Sequence, residues 1–223
     1  MTQDLSHWQP RPPPDQRTLL GRFVRLEALD ATRHGDDLWA ALQGPDPALR
    51  DYLPYGPFNE RSAFDAWLTA NAGSRDPLFY TVLEQGSGRA LGLFSYLRIT
   101  PQDGSIEIGH VVFGASMQRT PGATEAVYLL ARHAFDDLGY RRLEWKCDNA
   151  NARSRRAAER FGFVHEGIFR QHMVRKGRNR DTAWFAIIDG EWAMRREAFE
   201  RWLAADNFAA DGQQKQRLET FRA

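Results

Sequence analysis

The chain has 223 residues, 42% of them hydrophobic and 26% charged, with a formal net charge of +1 at pH 7. That balance is ordinary for one globular domain with a substantial core, and it excludes a disordered chain or a whole-surface field for nucleic acid. The single cysteine, Cys147, excludes an intramolecular disulfide, and no Cys/His spacing points to a metal site.

Residues 1–20 read as an N-terminal arm, in which "PRPPP" at 10–14 is extended and packs on the surface. No signal-type apolar segment opens the chain and no apolar run reaches membrane-spanning length, so a cytoplasmic protein without a membrane partner is expected. A single domain is expected over 21–204, beginning with "RFVRLEAL" as a strand. Asp30 or Thr32 caps a helix through "RHGDDLWAAL", which "GPDP" stops, and a second helix covers "ERSAFDAWLTANA". Three strands follow, "LFYTVLEQ", "ALGLFSYLRIT" and "SIEIGHVVFG", joined by hairpin-type loops and therefore antiparallel.

A longer helix runs from about Thr124 to Leu138, with Gly139 placed to end it. Then come the strand "RRLEWKCD", a helix ending at Gly162, and the strands "FVHEGIFRQHMV" and "DTAWFAII" on either side of a basic "RKGRNR". The last helix is "GEWAMRREAFERWL", and a loosely held polar tail is expected over 205–223. The fold class expected is mixed α/β, with a β-α-β-α-β second half.

Two segments invite a ligand. In "MQRTPGATEA", Thr120 caps the longest helix and Pro121 fits its first turn, while Gly122 and Ala123 leave backbone N–H groups bare for an anion. In "DNANARSRRAAERFGF", Asn149 or Asn151 caps the next helix. Ser154, Ala157, Ala158 and Phe161 turn inward, and Arg155, Arg156, Glu159 and Arg160 face out. Between Arg141 and Arg180 stand twelve Lys/Arg against four Asp/Glu, a bias that fits either a solvated surface or a site for a polyanionic small molecule. Neither a Walker lysine motif nor GxGxxG is present.

The order of elements, the loop "QRTPGATEA" and "DNANARSRRAAERFGFVHEG" resemble the GCN5-related N-acetyltransferase (GNAT) superfamily over about Arg22 to Trp192. Within it the chain is most similar to the ribosomal-protein N-acetyltransferase-like (RimJ/RimL-type) branch. The resemblance implies the GNAT fold: a mostly antiparallel twisted sheet of about seven strands with one splayed parallel pair, flanked by helices. It implies acetyl-CoA as co-substrate between the strands 105–113 and 141–147, an amine acceptor, no metal and a homodimer. Val111, Val112 and Phe113 would pair with the pantetheine arm. Gln118, Arg119, Thr120, Gly122, Ala123 and Thr124 would hold the pyrophosphate, although Thr124 and Pro121 each break the family's loop pattern in one frame. Asn151 would bind the arm, and basic residues such as Arg156 would face the phosphates.

For the chemistry, an attacking amine must arrive neutral, so a base is useful, and the leaving thiolate benefits from a proton donor. The resemblance implies Glu107 as the base, at the position where similar proteins carry a strand glutamate beside the acceptor, against a plain ion-paired or solvated strand glutamate; alternation places it with Gly109, Val111 and Phe113 and sends His110 to the opposite face. His165 is the second candidate. The resemblance also gives the acid: many members use a tyrosine after the second motif, no tyrosine follows Tyr140, and Ser154 matches the serine proposed for that role in the RimL-like branch. Val112 N–H is the expected oxyanion donor. Cys147 reads as buried rather than as an acyl carrier. Tyr52, Tyr55, Phe58 and Trp67 form either an aromatic wall for the acceptor or core. The alternative from another class is a non-catalytic module on this fold that docks RNA or ribosome through "VRKGRNR"; with no interleaved aromatics, nucleic acid is a disfavoured partner.

Overall fold

Alternating apolar residues and short connections build most of the sheet, and a helix spans each of the two places where the chain crosses over. The computed structural model describes residues 4–43 and 50–222. In chain order the strands are β1 (Leu19–Leu20), β2 (Val24–Ala28), β3 (Leu78–Glu84), β4 (Ala90–Thr100), β5 (Ser105–Phe113), β6 (Arg142–Asp148), β7 (Val164–Arg175) and β8 (Arg178–Ile188). The helices are α1 (Ala31–Leu42), α2 (Arg61–Ala72), α3 (Pro121–Arg132), α4 (Ala152–Phe161) and α5 (Asp189–Leu203). The "GPDP" stop lies outside the described residues.

The strands form one eight-stranded sheet in the order β1-β2-β3-β4-β5-β6-β8-β7. Every neighbour is antiparallel except β5 and β6, which run parallel through the α3 crossover. The strand beyond the seven expected is β1, a two-residue edge opposite Leu26 and Arg25. Leu19 is buried there, so the sheet reaches into the segment read as an arm.

Two cores sandwich the sheet. Ile106, Ile108, Leu143, Trp145 and Phe185 point to the side of α3 and α5, joining Leu129, Leu130, Trp192 and Phe199. Leu83, Leu93 and Val112 point to the other side, joining Leu38, Leu42, Phe64 and Leu68 of α1 and α2. The longest helix ends as a π-turn over His133–Asp137, where His133 Nδ1 and Asp137 Oδ2 meet at 2.9 Å. Asp30, rather than Thr32, caps α1, accepting from the N–H groups of Thr32 and Arg33.

Both termini are tied down. Trp8 Nε1 donates to Gln102 O, and the arm's Arg11 N–H donates to Pro101 O. The C-terminal segment, expected to hang loosely, instead buries Leu218 in the main core, and Arg222 donates to the carbonyls of Arg160 and Glu159. The basic "RKGRNR" is not a loop either. Arg175 pairs with Arg178 in the ladder, and only Lys176 and Gly177, at φ 47° and 73°, form the turn. Two successive positive φ values make it the twist-compatible turn of a two-residue hairpin.

Candidate active site

The parallel pairing of β5 and β6 runs from Ser105–Arg142 to Ile108–Trp145 and stops there, although both strands continue. Beyond that point they part, and a cleft of about 200 Å³ opens between them. The N-terminus of α4 borders this cleft, through Asn151 and Ser154.

A bulge in β5 shapes the cleft. Leu93 faces Val112 and Ser95 faces Gly109, so His110 and Val111 together oppose Phe94, and His110 takes φ 54°. The extra residue resets the alternation downstream. Contrary to the expected arrangement, Glu107 and His110 therefore share the α1/α2 side, while Val111 and Phe113 pack toward α3. Gly114 N–H donates to Leu91 O at 2.8 Å, and Leu93 opposes Val112 two residues further along. Hydrogen-bonded pairs recur every second residue in an antiparallel ladder, so Val112 turns its amide to β4. Phe113, between two amides that turn to β4, therefore turns its own away from β4, and Val111 borders the cleft. Val112, expected as the oxyanion donor, thus spends its amide on β4 and its side chain on the α1/α2 core.

Glu107 is 3% exposed at the cleft floor. Arg98 Nη1 lies 2.7 Å and Lys146 Nζ 3.2 Å from its Oε2. Burial pushes its carboxyl above the ordinary range even with these cations opposing. Lys146 also pairs with Glu144 at 2.6 Å and sits 3.7 Å above the Trp184 ring. None of Arg98, Lys146 or Trp184 was expected here. The signal was present for Lys146: the alternation that turns Leu143, Trp145 and Cys147 inward sends Glu144 and Lys146 to the Glu107 face.

On the α4 side, Asn151 is the cap, its Oδ1 accepting from Ser154 N–H at 3.0 Å, while its amide nitrogen remains for a ligand. Ser154 Oγ accepts from Trp145 Nε1 at 2.9 Å, which leaves the hydroxyl proton to be donated. Cys147 borders the cleft but is buried, and burial pushes its thiol up. Asn149 does not cap; its Oδ1 is buried without a partner among the described residues. Of the arginines expected outward, Arg156 is exposed, whereas Arg155 and Arg160 are half-buried. Arg160 turns onto Trp202 and donates to Thr124 Oγ1 at 2.9 Å, because the C-terminal segment covers that face of α4.

The loop before α3 carries the expected cap: Thr120 Oγ1 accepts from Ala123 N–H and donates to Met117 O. Gln118 Nε2 donates to Phe113 O at 2.9 Å, and Gln118 and Arg119 are exposed. Gly122 has a packing duty as well, since a Cβ there would stand 2.9 Å from Val24 Cγ1.

Over the α1/α2 side, Tyr55 stacks on His110 with centroids 5.5 Å apart and planes at 7°, and packs on Phe58 and Trp67. Three of the four expected aromatics thus form core around His110. The fourth, Tyr52, borders the cleft and donates from its hydroxyl to Ala150 O. Exposed His165 packs on Phe185 and does not line the cleft.

The family model for the acetyltransferase (GNAT) domain matches residues 24–164. The chain belongs to the GNAT acetyltransferase family. A GCN5-related N-acetyltransferase from Brucella melitensis, known from its crystal structure, is 50% identical with a TM-score of 0.96, covering 98% of this chain and 99% of that one. A probable acetyltransferase (GNAT family) from Chromobacterium violaceum is 45% identical with a TM-score of 0.80, over 86% of this chain and 96% of its own. The uncharacterized N-acetyltransferase YnaD of Bacillus subtilis is 25% identical over 147 residues, which is 66% of this chain and 84% of that protein. This GNAT acetyltransferase therefore has the family's sheet, with its one parallel pair parting at the cleft. Among the described residues, no group of His, Cys, Asp or Glu is arranged to hold a metal ion, and no helix is long and apolar enough to cross a membrane.

His110 leaves a measurable trace in this GNAT domain. Its Nδ1 is buried without a partner among the described residues, and burial, then Arg98, pushes its pKa down to about 4. The unfolded chain therefore binds a proton between about pH 6.5 and pH 4 that the folded one refuses, and stability falls as pH drops through that window. From pH 7.5 to pH 5 the loss should approach about 2 kcal/mol, at about 1.4 kcal/mol per pH unit below 6.5. His34, held low by burial, adds in the same direction. His110→Asn tolerates the positive φ and removes the titration, so its Tm should vary less over this range than that of the native protein. Equal slopes would remove His110 as the cause.

Proposed function

We propose that this acetyltransferase moves an acetyl group from acetyl-CoA to a primary amine by direct attack in a ternary complex, in the cytoplasm. One observation carries the reading: beyond Ile108–Trp145 the strands part and open a cleft, bordered by Val111, beside a buried glutamate. Free ladder amides suit an extended amide-bearing arm, which would add itself as a strand. The first turns of α3 and α4, with Arg119 and Arg156 exposed beside them, suit phosphates. The residues present therefore fit acetyl-CoA, which supplies the activated acyl thioester.

The chain's own groups then have distinct tasks. Glu107 accepts the proton of the acceptor amine, directly or through water, and its raised carboxyl is a better base for being buried. Val111 N–H donates to the carbonyl oxygen as negative charge gathers there. Ser154 donates a hydrogen bond from its hydroxyl to the departing sulfur, which leaves as the CoA thiolate and takes its proton from water. Cys147, pushed up and buried, is a poor nucleophile, which favours direct attack over an acyl relay through it. "DNANARS" keeps its likeness to the ribosomal-protein branch, so peptide α-amines belong in the acceptor screen with small amines. The non-catalytic reading loses its motive, because Arg175 and Arg180 of the basic hairpin line the cleft.

Isothermal titration with acetyl-CoA, CoA and ATP tests the donor site. Acetyl-CoA and CoA should bind and ATP should not, and Asn151→Ala should weaken acetyl-CoA about tenfold, as loss of one hydrogen bond and a cap would. No heat at millimolar acetyl-CoA would end the reading.

A further inference from the structure

The mouth of the cleft on the α1/α2 side carries an excess of positive charge that the transfer itself does not use. Four cationic side chains, Arg98, Lys146, Arg175 and Arg180, line it against two anionic ones, Glu107 and Asp148. Glu107 already answers Arg98 and Lys146, and Glu144 answers Lys146 a second time. Arg175 and Arg180 have no carboxylate of the described residues within ion-pair distance; Arg180 donates only to Thr182 Oγ1, at 3.2 Å. Arg180 is half-buried, so its guanidinium is partly stripped of water, and Asp148 and Glu107 offset that only from beyond ion-pair distance. Partly desolvated, unpaired cations at a cavity are costly unless a ligand answers them.

Their placement is built by the fold. Thr182 and Trp184 lie opposite Asp148 and Lys146 on β6, and alternation carries the same face on to Arg180. The hairpin tip is anchored over the mouth, where Lys176 Nζ donates to the carbonyls of Arg50 at 3.2 Å and Tyr55 at 3.4 Å. The cations also sense one another: His172, between them on β7, is held low by desolvation and then by Arg180, Arg98, Lys146 and Arg175.

We infer that the acceptor is an anionic amine, whose carboxylate or phosphate is held by Arg180 and Arg175 at the outer mouth of the cleft while its amino group reaches Glu107. The inference rests on the acetyl-transfer reading and names its substrate class. The place proposed for the donor's phosphates, the first turns of α3 and α4 with Arg119 and Arg156, uses neither Arg175 nor Arg180. The cationic wall also favours the neutral form of the entering amine, which eases the work asked of Glu107.

Product-like amides test this without requiring turnover. Tryptophan fluorescence, with Trp145 and Trp184 beside the cleft, would follow titration of the CoA-saturated protein with N-acetylglycine against N-acetylglycinamide. A second pair would be N-acetyl-O-phosphoethanolamine against N-acetylethanolamine. One anionic compound should bind about ten- to a hundredfold tighter than its neutral partner, the range of a charge-assisted hydrogen bond. The preference should fall below about threefold in Arg175→Gln/Arg180→Gln, with Arg180→Lys restoring part of it and acetyl-CoA affinity unchanged. Equal binding within both pairs, or a preference that survives the double substitution, overturns the inference. A fall in acetyl-CoA affinity in the double variant also overturns it, by assigning the arginines to the donor. A native protein that ignores acetyl-CoA but keeps the anion preference would instead sink the acetyl-transfer reading alone.

Discussion

Glu107→Gln is expected to lower kcat by about a hundredfold or more while leaving the Kd for acetyl-CoA unchanged, the size of effect general-base removal produces. The separation follows from the bulge in β5. Glu107 lies on the α1/α2 side before His110, whereas the amides proposed to hold the donor, at Val111 and Phe113, lie beyond it. The pH profile supplies the sharper readout. With burial holding the Glu107 carboxyl above its ordinary range, native kcat/KM should fall as acid protonates it, and the variant should lose that limb and keep only the one belonging to the acceptor amine. The substitution also leaves Arg98 and Lys146 facing a neutral amide, which costs stability. Rates must therefore be taken well below the variant's Tm. A folded variant with kcat within a few-fold of native would make Glu107 a structural counter-ion for those two cations and nothing more.

How far such a site could be read from sequence depends on the range of the interactions that set it. Asn151 as the cap of α4, Thr120 as the cap of α3 and the inward face of Ser154, Ala158 and Phe161 depend on neighbours three or four residues away, so the pattern sufficed. Lys146 at the Glu107 face was implicit in the alternation of β6. The bulge was not: nothing in "EIGHVVF" announces that His110 adopts φ 54°, and the single extra residue reversed which side Val111 and Phe113 occupy and which amides turn to β4. Arg175 and Arg180 read as the solvated tip of a basic hairpin, and that they lie on its strands is a matter of cross-strand pairing rather than local composition. Arg160 and Leu218 were misplaced for a related reason, since the segment that covers one of them and contains the other arrives from the far end of the chain.

Glu125 is the extreme case of that range, and its removal should be the most destabilising single change in the domain outside the apolar core. On α3 it passes for an exposed helix glutamate, yet it is 5% exposed. Its Oε1 accepts from Arg22 N–H at 2.8 Å, and its Oε2 from Phe23 and Val24 N–H at 2.7 and 2.9 Å. Those three donors form the turn between β1 and β2, about a hundred residues earlier, which has no other way to satisfy them. Gly21 completes the fit, because a Cβ there would stand 2.5 Å from the Glu125 carboxyl carbon. Glu125→Ala should cost about 3 kcal/mol or more, since it strands buried N–H groups at roughly 1–3 kcal/mol each with partial relief from water. For a chain of this length that corresponds to a fall in Tm of roughly 6–12 °C. Glu125→Gln keeps the shape and one acceptor oxygen, so it should lose less. Gly21→Ala should be severe alone and milder in the Glu125→Ala background, because the carboxylate it strikes is then gone while Val24 O, 2.8 Å from the same Cβ, remains; the two costs will not add. Donor affinity should follow stability here, since Glu125 fixes the start of α3 and with it the loop 118–124. Additive costs, or a Glu125→Ala protein that melts within about 2 °C of native, would show that the turn stands without its carboxylate.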